Sequence, residues 1–119
     1  MLFRSKADVA LTKGQVVYIS GVSGDVPTVD LADSDNASAM PAFGLVYANA
    51  NQNASVEIIT FGSLSGFDTS SFSVGDIVYV STTAGSLTAT APAGESSQIQ
   101  NIGTVQRSHA SAGIIKVGG

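Results

Sequence analysis

His109 is the single histidine of the chain, and it stands in Arg107-Ser108-His109-Ala110-Ser111 with hydroxyls close by in sequence. General-base chemistry needs that imidazole within hydrogen-bond reach of a nucleophile, with a third group orienting it. The segment nearest to a nucleophile elbow is Gly62-Ser63-Leu64-Ser65-Gly66, which has Leu where the elbow requires Ser. Asp30, Asp33 and Asp35, with Asn36, offer the oxygen ligands that calcium prefers. They lack the ordered spacing, the Gly and the closing Glu of a known calcium loop. There is no Gly-Lys-Ser/Thr phosphate loop, and with no Cys there is neither a thiolate metal site nor a disulfide. His109 therefore reads as a turn residue and the acidic cluster as a solvated loop. No enzyme, cofactor or metal is expected from these residue types.

The elements that would position these groups are organised by a repeat. Lys13-Gly14-Gln15-Val16-Val17-Tyr18-Ile19-Ser20 returns as Val74-Gly75-Asp76-Ile77-Val78-Tyr79-Val80-Ser81. Each copy places Gly at a polar turn, where φ > 0 has no steric cost, ahead of branched and aromatic residues that suit a strand. Phe43-Gly44-Leu45-Val46 returns as Ile102-Gly103-Thr104-Val105, and the run from Val56 to Phe61 returns as Ala112 to Val117. Turn signals recur every eight to twelve residues or so, the spacing of an all-β barrel or sandwich. The expectation is a small closed barrel or sandwich of about eight short strands with a pseudo-twofold internal duplication. The halves would span residues 11–62 and 74–119, with Ser63 to Ser73 linking them and Asp68-Thr69-Ser70-Ser71 forming a capped turn. Val26 to Leu31 alternates, but Pro27 cannot donate to a ladder, so that strand should begin or run along an edge. Tyr18, Tyr79, Phe43 and Phe61 fall inside predicted strands and read as core. Residues 1–10 read as an extended arm without a partner in the second half, and residues 11–119 as one β domain.

Composition narrows the class of partner. Of 119 residues, 44% are hydrophobic and only 12% charged, and the net charge is −4. A chain this apolar is not a disordered tail, and one this acidic has no basic field for nucleic acid. No apolar run is long enough to span a bilayer. The beginning, Met1-Leu2-Phe3-Arg4-Ser5-Lys6, lacks the apolar core of a signal peptide, so synthesis in the cytoplasm is expected and the Asn-Ala-Ser sequons at Asn36 and Asn53 carry little meaning. A soluble domain usually carries about twice this share of charge. A surface of Ser, Thr, Ala, Asn and Gly in its place points to coverage by other subunits.

Several of these residues, taken in order, resemble a module common in tailed-bacteriophage virion proteins. The likeness runs from Thr12-Lys13-Gly14-Gln15-Val16-Val17-Tyr18-Ile19-Ser20-Gly21 through Pro27-Thr28-Val29, Gly44-Leu45-Val46 and Asp68-Thr69-Ser70-Ser71-Phe72. It continues through Gly75-Asp76, Val78-Tyr79, Gly85, Leu87-Thr88 and Ile102-Gly103-Thr104-Val105-Gln106-Arg107-Ser108-His109, covering about Leu11 to Val117. The resemblance implies a virion structural protein without a catalytic site. With no coiled coil or fibre shaft attached, it implies a decoration (cement) protein on the capsid exterior, bound to the major capsid protein and assembled as a homotrimer. No nucleic acid or membrane partner is implied. The alternative is a tail-fibre or tail-tip module that binds a receptor or glycan. In the decoration reading the arm is the partner-binding segment: Leu2 and Phe3 would fill pockets, Arg4 and Lys6 would meet acidic loops, and the backbone would add a strand to a capsid sheet.

Overall fold

A computed structural model describes residues 2–34, 37–90 and 100–118. Its strands are β1 (Leu2–Ala7), β2 (Val16–Ser23), β3 (Val26–Leu31), β4 (Ala42–Val46), β5 (Ser55–Ile59), β6 (Gly62–Phe67), β7 (Ile77–Val80), β8 (Leu87–Thr88), β9 (Asn101–Arg107) and β10 (Gly113–Val117). One 3₁₀ turn covers Ala37–Ala39, and no α-helix occurs among the described residues. The all-β expectation holds, in two five-stranded sheets.

The strand orders state the duplication directly. One sheet runs β3-β2-β4-β5-β1 and the other β8-β7-β9-β10-β6, which is the same order in equivalent strands. Hydrogen bonds repeat as well. Gly14 N donates to Val46 O at 2.9 Å, and Gly75 N donates to Val105 O at 2.8 Å. Gln15 Oε1 accepts from Thr12 N, and Asp76 Oδ2 accepts from Ser73 N three residues back in the same way. The polar residue after each Gly therefore caps its own turn.

The first sheet closes on itself because β1 pairs β5 antiparallel along its length and β3 in parallel at Lys6↔Thr28 and Ala7↔Val29. Closure buries the inward face, and packing against the second half buries the outward face along Val16–Val17, Leu45–Val46 and Ile58–Ile59. Val16 and Val17 are consecutive and both fully buried, one on each side of the sheet. Ala7, Leu11, Val17, Val29, Val46, Val56 and Ile58 form one cluster. Val16, Leu45 and Ile59 face the other way, into a second cluster with Leu64, Val78, Val80, Val105, Ile115 and Val117 of the second half. Burying each such Val, Leu or Ile is worth about 1.5–3 kcal/mol, so this shared layer joins the halves into one unit.

The second sheet does not close. Where β6 would meet β8, the first half inserts its own turn: Lys13, Gly14 and Gln15 share a cleft with Phe67, Gly85 and Leu87. Val16 N bonds Gly85 O at 3.1 Å, and Gly85 N bonds Ala32 O at 2.8 Å. Gly85 has φ +78°, which favours Gly, and a Cβ there would stand 2.7 Å from Leu31 Cδ2, so any other residue would have to displace the Leu31 side chain.

Four expectations are corrected. There are ten strands where about eight were expected, and both additions are the first strand of a half, β1 and β6. The stretch 1–10 is not a free arm, since Ser5 and Ala7 are fully buried and β1 is equivalent to β6. Its inward residues are small because they face the inside of a narrow ring, which removes the apolar alternation that marks a strand. The span from Ser63 to Ser73 is not merely a linker, since β6 lies in it. Phe61 lies between β5 and β6 and is 58% exposed, so it is not core. The expectation for Pro27 fits: β3 has neighbours on both sides, but β1 joins it only from Thr28 onward.

Candidate partner-binding surface

Strand β1 carries all four residues singled out for partner contact. Leu2 and Phe3 are each 42% exposed, Arg4 is exposed and Lys6 half-buried. Arg4 lies opposite Glu57 on β5, and its Nη2 is 3.5 Å from Ser55 Oγ. The four residues thus stand on a rigid, paired strand.

The β1 backbone alternates in direction. Ala7 N donates to Ala54 O on the β5 side, and Asp8 N donates to Val29 O on the β3 side. Glu57 O is turned away from β1, toward Tyr47 N at 2.9 Å. By this alternation Leu2, Arg4 and Lys6 present N–H and C=O groups outward, toward β3. Pairing with β3 is recorded only from Lys6↔Thr28. Continuing that parallel ladder would require residue 27 to donate to Arg4 O, and residue 27 is proline, which has no N–H. Pairing of β1 with β3 therefore begins at Lys6, and Leu2 and Arg4 have no register partner in β3 among the described residues.

Apolar side chains gather near this end of β1. The rings of Phe3 and Phe43 lie 5.5 Å apart at an interplanar angle of 49°. Beyond Phe43 a hollow of about 170 Å³ is lined by Ile19, Met40, Pro41 and Ala42. A cavity of about 150 Å³ accepts benzene, so this one admits a single bulky side chain. Ile19 is 48% exposed at the start of the β2–β3 hairpin, whose residues from Ile19 to Asp25 are all exposed. Sequence reasoning places Ile19 in a strand and reads Phe43 as core, and it does not bring the two together beside this hollow. Strand β2 runs past the repeated segment, through Gly21-Val22 to Ser23, which holds Ile19 within the strand.

The chemistry-bearing residues are held elsewhere in local bonds. His109 Nδ1 accepts from Ser111 N at 3.0 Å and Ala112 N at 2.9 Å, closing the β9–β10 turn. That turn is clamped by buried Thr69: its Oγ1 donates to Arg107 O at 2.6 Å and accepts from His109 N at 3.1 Å. Asp68 Oδ1 accepts from Ser70 Oγ at 2.6 Å and Ser70 N at 2.9 Å, which makes the expected capped turn. These bonds, the hydroxyl's first, hold the Asp68 carboxyl below its ordinary value. Leu64 of the elbow-like segment is buried within β6, and Ser63 Oγ donates to Gln106 Oε1 at 2.8 Å. Asp30 Oδ1 accepts from Leu31 N at 2.7 Å, whereas Asp35 and Asn36 lie outside the described residues. Among the described residues no three His, Asp or Glu side chains gather to hold a metal ion.

No protein-family model matches the chain, and no curated protein matches it either. The surface must therefore be read from its own chemistry.

Proposed function

We propose that this chain is a bacteriophage virion structural protein, a decoration protein seated on the outer face of the major capsid protein lattice. The observation that carries the reading is the surface of the duplicated β-frame. Leu2, Phe3, Ile19, Val22, Val74 and Ile77 stand exposed, yet only 12% of the chain is charged. Exposed apolar side chains among neutral polar ones favour contact with other protein over free solution. The ordered likeness to virion modules from Leu11 to Val117 supports the same reading. Contacts of this neutral kind depend on shape, so salt weakens them little. A homotrimer on the capsid exterior, with synthesis in the host cytoplasm, belongs to the same proposal.

A second reading draws on two exposed aromatic residues that lie outside strands, Tyr47 at 43% and Phe61 at 58%. Aromatic rings of this kind serve glycan or receptor recognition at a fibre tip. Binding assays on a glycan array with Tyr47→Ala and Phe61→Ala separate the two: the decoration reading expects no aromatic-dependent glycan signal. For the first reading, purified phage particles are stripped and incubated with the isolated chain, followed by sedimentation. Co-sedimentation with heads at a fixed ratio supports it, and failure to bind heads from any source that encodes the chain rejects it.

A further inference from the structure

One turn of the chain is closed by an acceptor that a proton can take away. We propose that the β9–β10 turn is an acid-responsive element, in which uptake of a proton by His109 releases the amides of Ser111 and Ala112 while the base of the turn stays locked. This device is separate from the decoration reading and does not rest on it.

The bonds of the ring fix its state. Nδ1 accepts from Ser111 N at 3.0 Å and from Ala112 N at 2.9 Å, and Ser111 Oγ lies 3.4 Å from the same atom. A backbone amide can only donate, so Nδ1 carries no proton and the neutral ring holds its proton on Nε2. The imidazolium has an N–H on both nitrogens and no acceptor. The charged ring and the closed turn therefore exclude each other. Residues 108–111 are exposed, so packing does not keep a proton from the ring.

Opening stops at the base of the turn, because the bonds there do not use the ring. Buried Thr69 donates its N–H to His109 O at 2.9 Å and its hydroxyl to Arg107 O at 2.6 Å. The same hydroxyl accepts from His109 N at 3.1 Å, and Ser108 Oγ donates to Thr69 O at 3.3 Å. Neighbouring charges do not replace the lost acceptor. Asp68, beside Thr69 in the segment packed on the turn, has its Oδ1 engaged by Ser70, and Arg107 at the end of β9 is itself a cation. Among the described residues no carboxylate bonds His109. The equivalent β4–β5 connection is an internal comparison: Ala54 N donates to Asn51 O at 3.0 Å, and residues 48–54 contain no titratable side chain.

The test follows the full chain, ¹⁵N-labelled, by NMR from about pH 8 to 5, the range in which histidine takes up its proton. At the upper end the ring ¹⁵N signals should show the Nε2–H tautomer. As the ring is protonated, the exchange protection of the Ser111 and Ala112 amides should fall about fivefold or more, the weight of one ordinary hydrogen bond. The Thr69 and Ala54 amides should keep theirs. His109→Asn supplies an uncharged acceptor two residues before Ser111, so Ser111 should stay protected across the whole range. His109→Ala should leave Ser111 and Ala112 unprotected throughout. An Nδ1–H tautomer at the upper end, or ring protonation without loss of protection at Ser111 and Ala112, would overturn the proposal. So would a pH response that survives in His109→Asn, or loss at Thr69 in step with Ser111, which would mark general unfolding.

Discussion

Gly14 and Gly75 occupy the same point in two copies of one fold, with φ of +90° and +92°. Each ends a turn that leads into the equivalent strand of its half, β2 or β7, and each donates its N–H to the strand bearing the Gly-x-Val motif. Their surroundings differ. A Cβ at Gly75 would meet nothing within 4 Å, whereas one at Gly14 would stand 2.7 Å from Phe67 Cδ2.

That difference makes the pair a test of how the halves fit. Gly75→Ala carries backbone strain alone and should cost about 1 kcal/mol. Gly14→Ala adds a collision at the wedge between the halves and should cost about 2–4 kcal/mol, the extra being overpacking. Urea unfolding gives both values. Equal costs would mean that the Lys13–Gln15 turn does not pack against Phe67.

Gly44 and Gly103 form a second matched pair, in β4 and β9. A Cβ at Gly44 would run into Ile59 O, and one at Gly103 into Lys116 O, both backbone atoms of the adjacent strand. Backbone cannot move aside as a side chain does, so either Gly→Ala change should destabilise by about 3 kcal/mol or more. Because the second core cluster draws on both halves, each variant should still unfold in one transition. Two separated transitions would contradict the shared core.

Much of this was legible in the sequence because the repeat lies where residue identity is dictated most strongly. Gly14, Gly75, Gly44 and Gly103 are required by φ or by close approach, and Val16-Val17 and Val78 by full burial on strands with a neighbour on each side. What was not legible is equally physical. In β1 the fully buried positions hold Ser5 and Ala7, and in β6 Leu64 is buried between exposed Ser63 and Ser65, so neither strand announces itself by alternation of large apolar residues. Leu2, Phe3, Arg4 and Lys6 were singled out on an arm, but their place on a paired strand depends on β3 and β5, which are distant in sequence. Phe61 looked like core because it continues an apolar run, yet Gly62, with φ +122°, turns the chain immediately after it.

Ser5 offers a cleaner test of burial. Its side chain is fully buried, and its Oγ has no hydrogen-bond partner. A buried hydroxyl without a partner opposes folding, so Ser5→Ala should leave stability unchanged or raise it by about 1 kcal/mol. A loss beyond about 1 kcal/mol in thermal unfolding would show that the hydroxyl is satisfied in solution.

Asp68 links stability to pH. Its carboxyl is held below the ordinary 3.8 by the Ser70 hydroxyl and then by the Ser70 amide. A carboxylate whose folded value is depressed adds stability above its unfolded value and loses it as pH falls through the folded value. Below pH about 4, unfolding free energy should therefore fall more steeply for the parent chain than for Asp68→Asn, with the curves parallel at neutral pH. Parallel curves throughout the acid range would show that the Asx turn is not maintained in solution.

The central claim is that this surface exists to meet the capsid lattice. Electron cryomicroscopy of purified particles that encode the chain tests it most directly. The account predicts density for the duplicated β-unit on the outside of the head, in regular copies, with β1 and Phe3 toward the major capsid protein. Density only at the tail, or particles that lack the chain altogether, would contradict it.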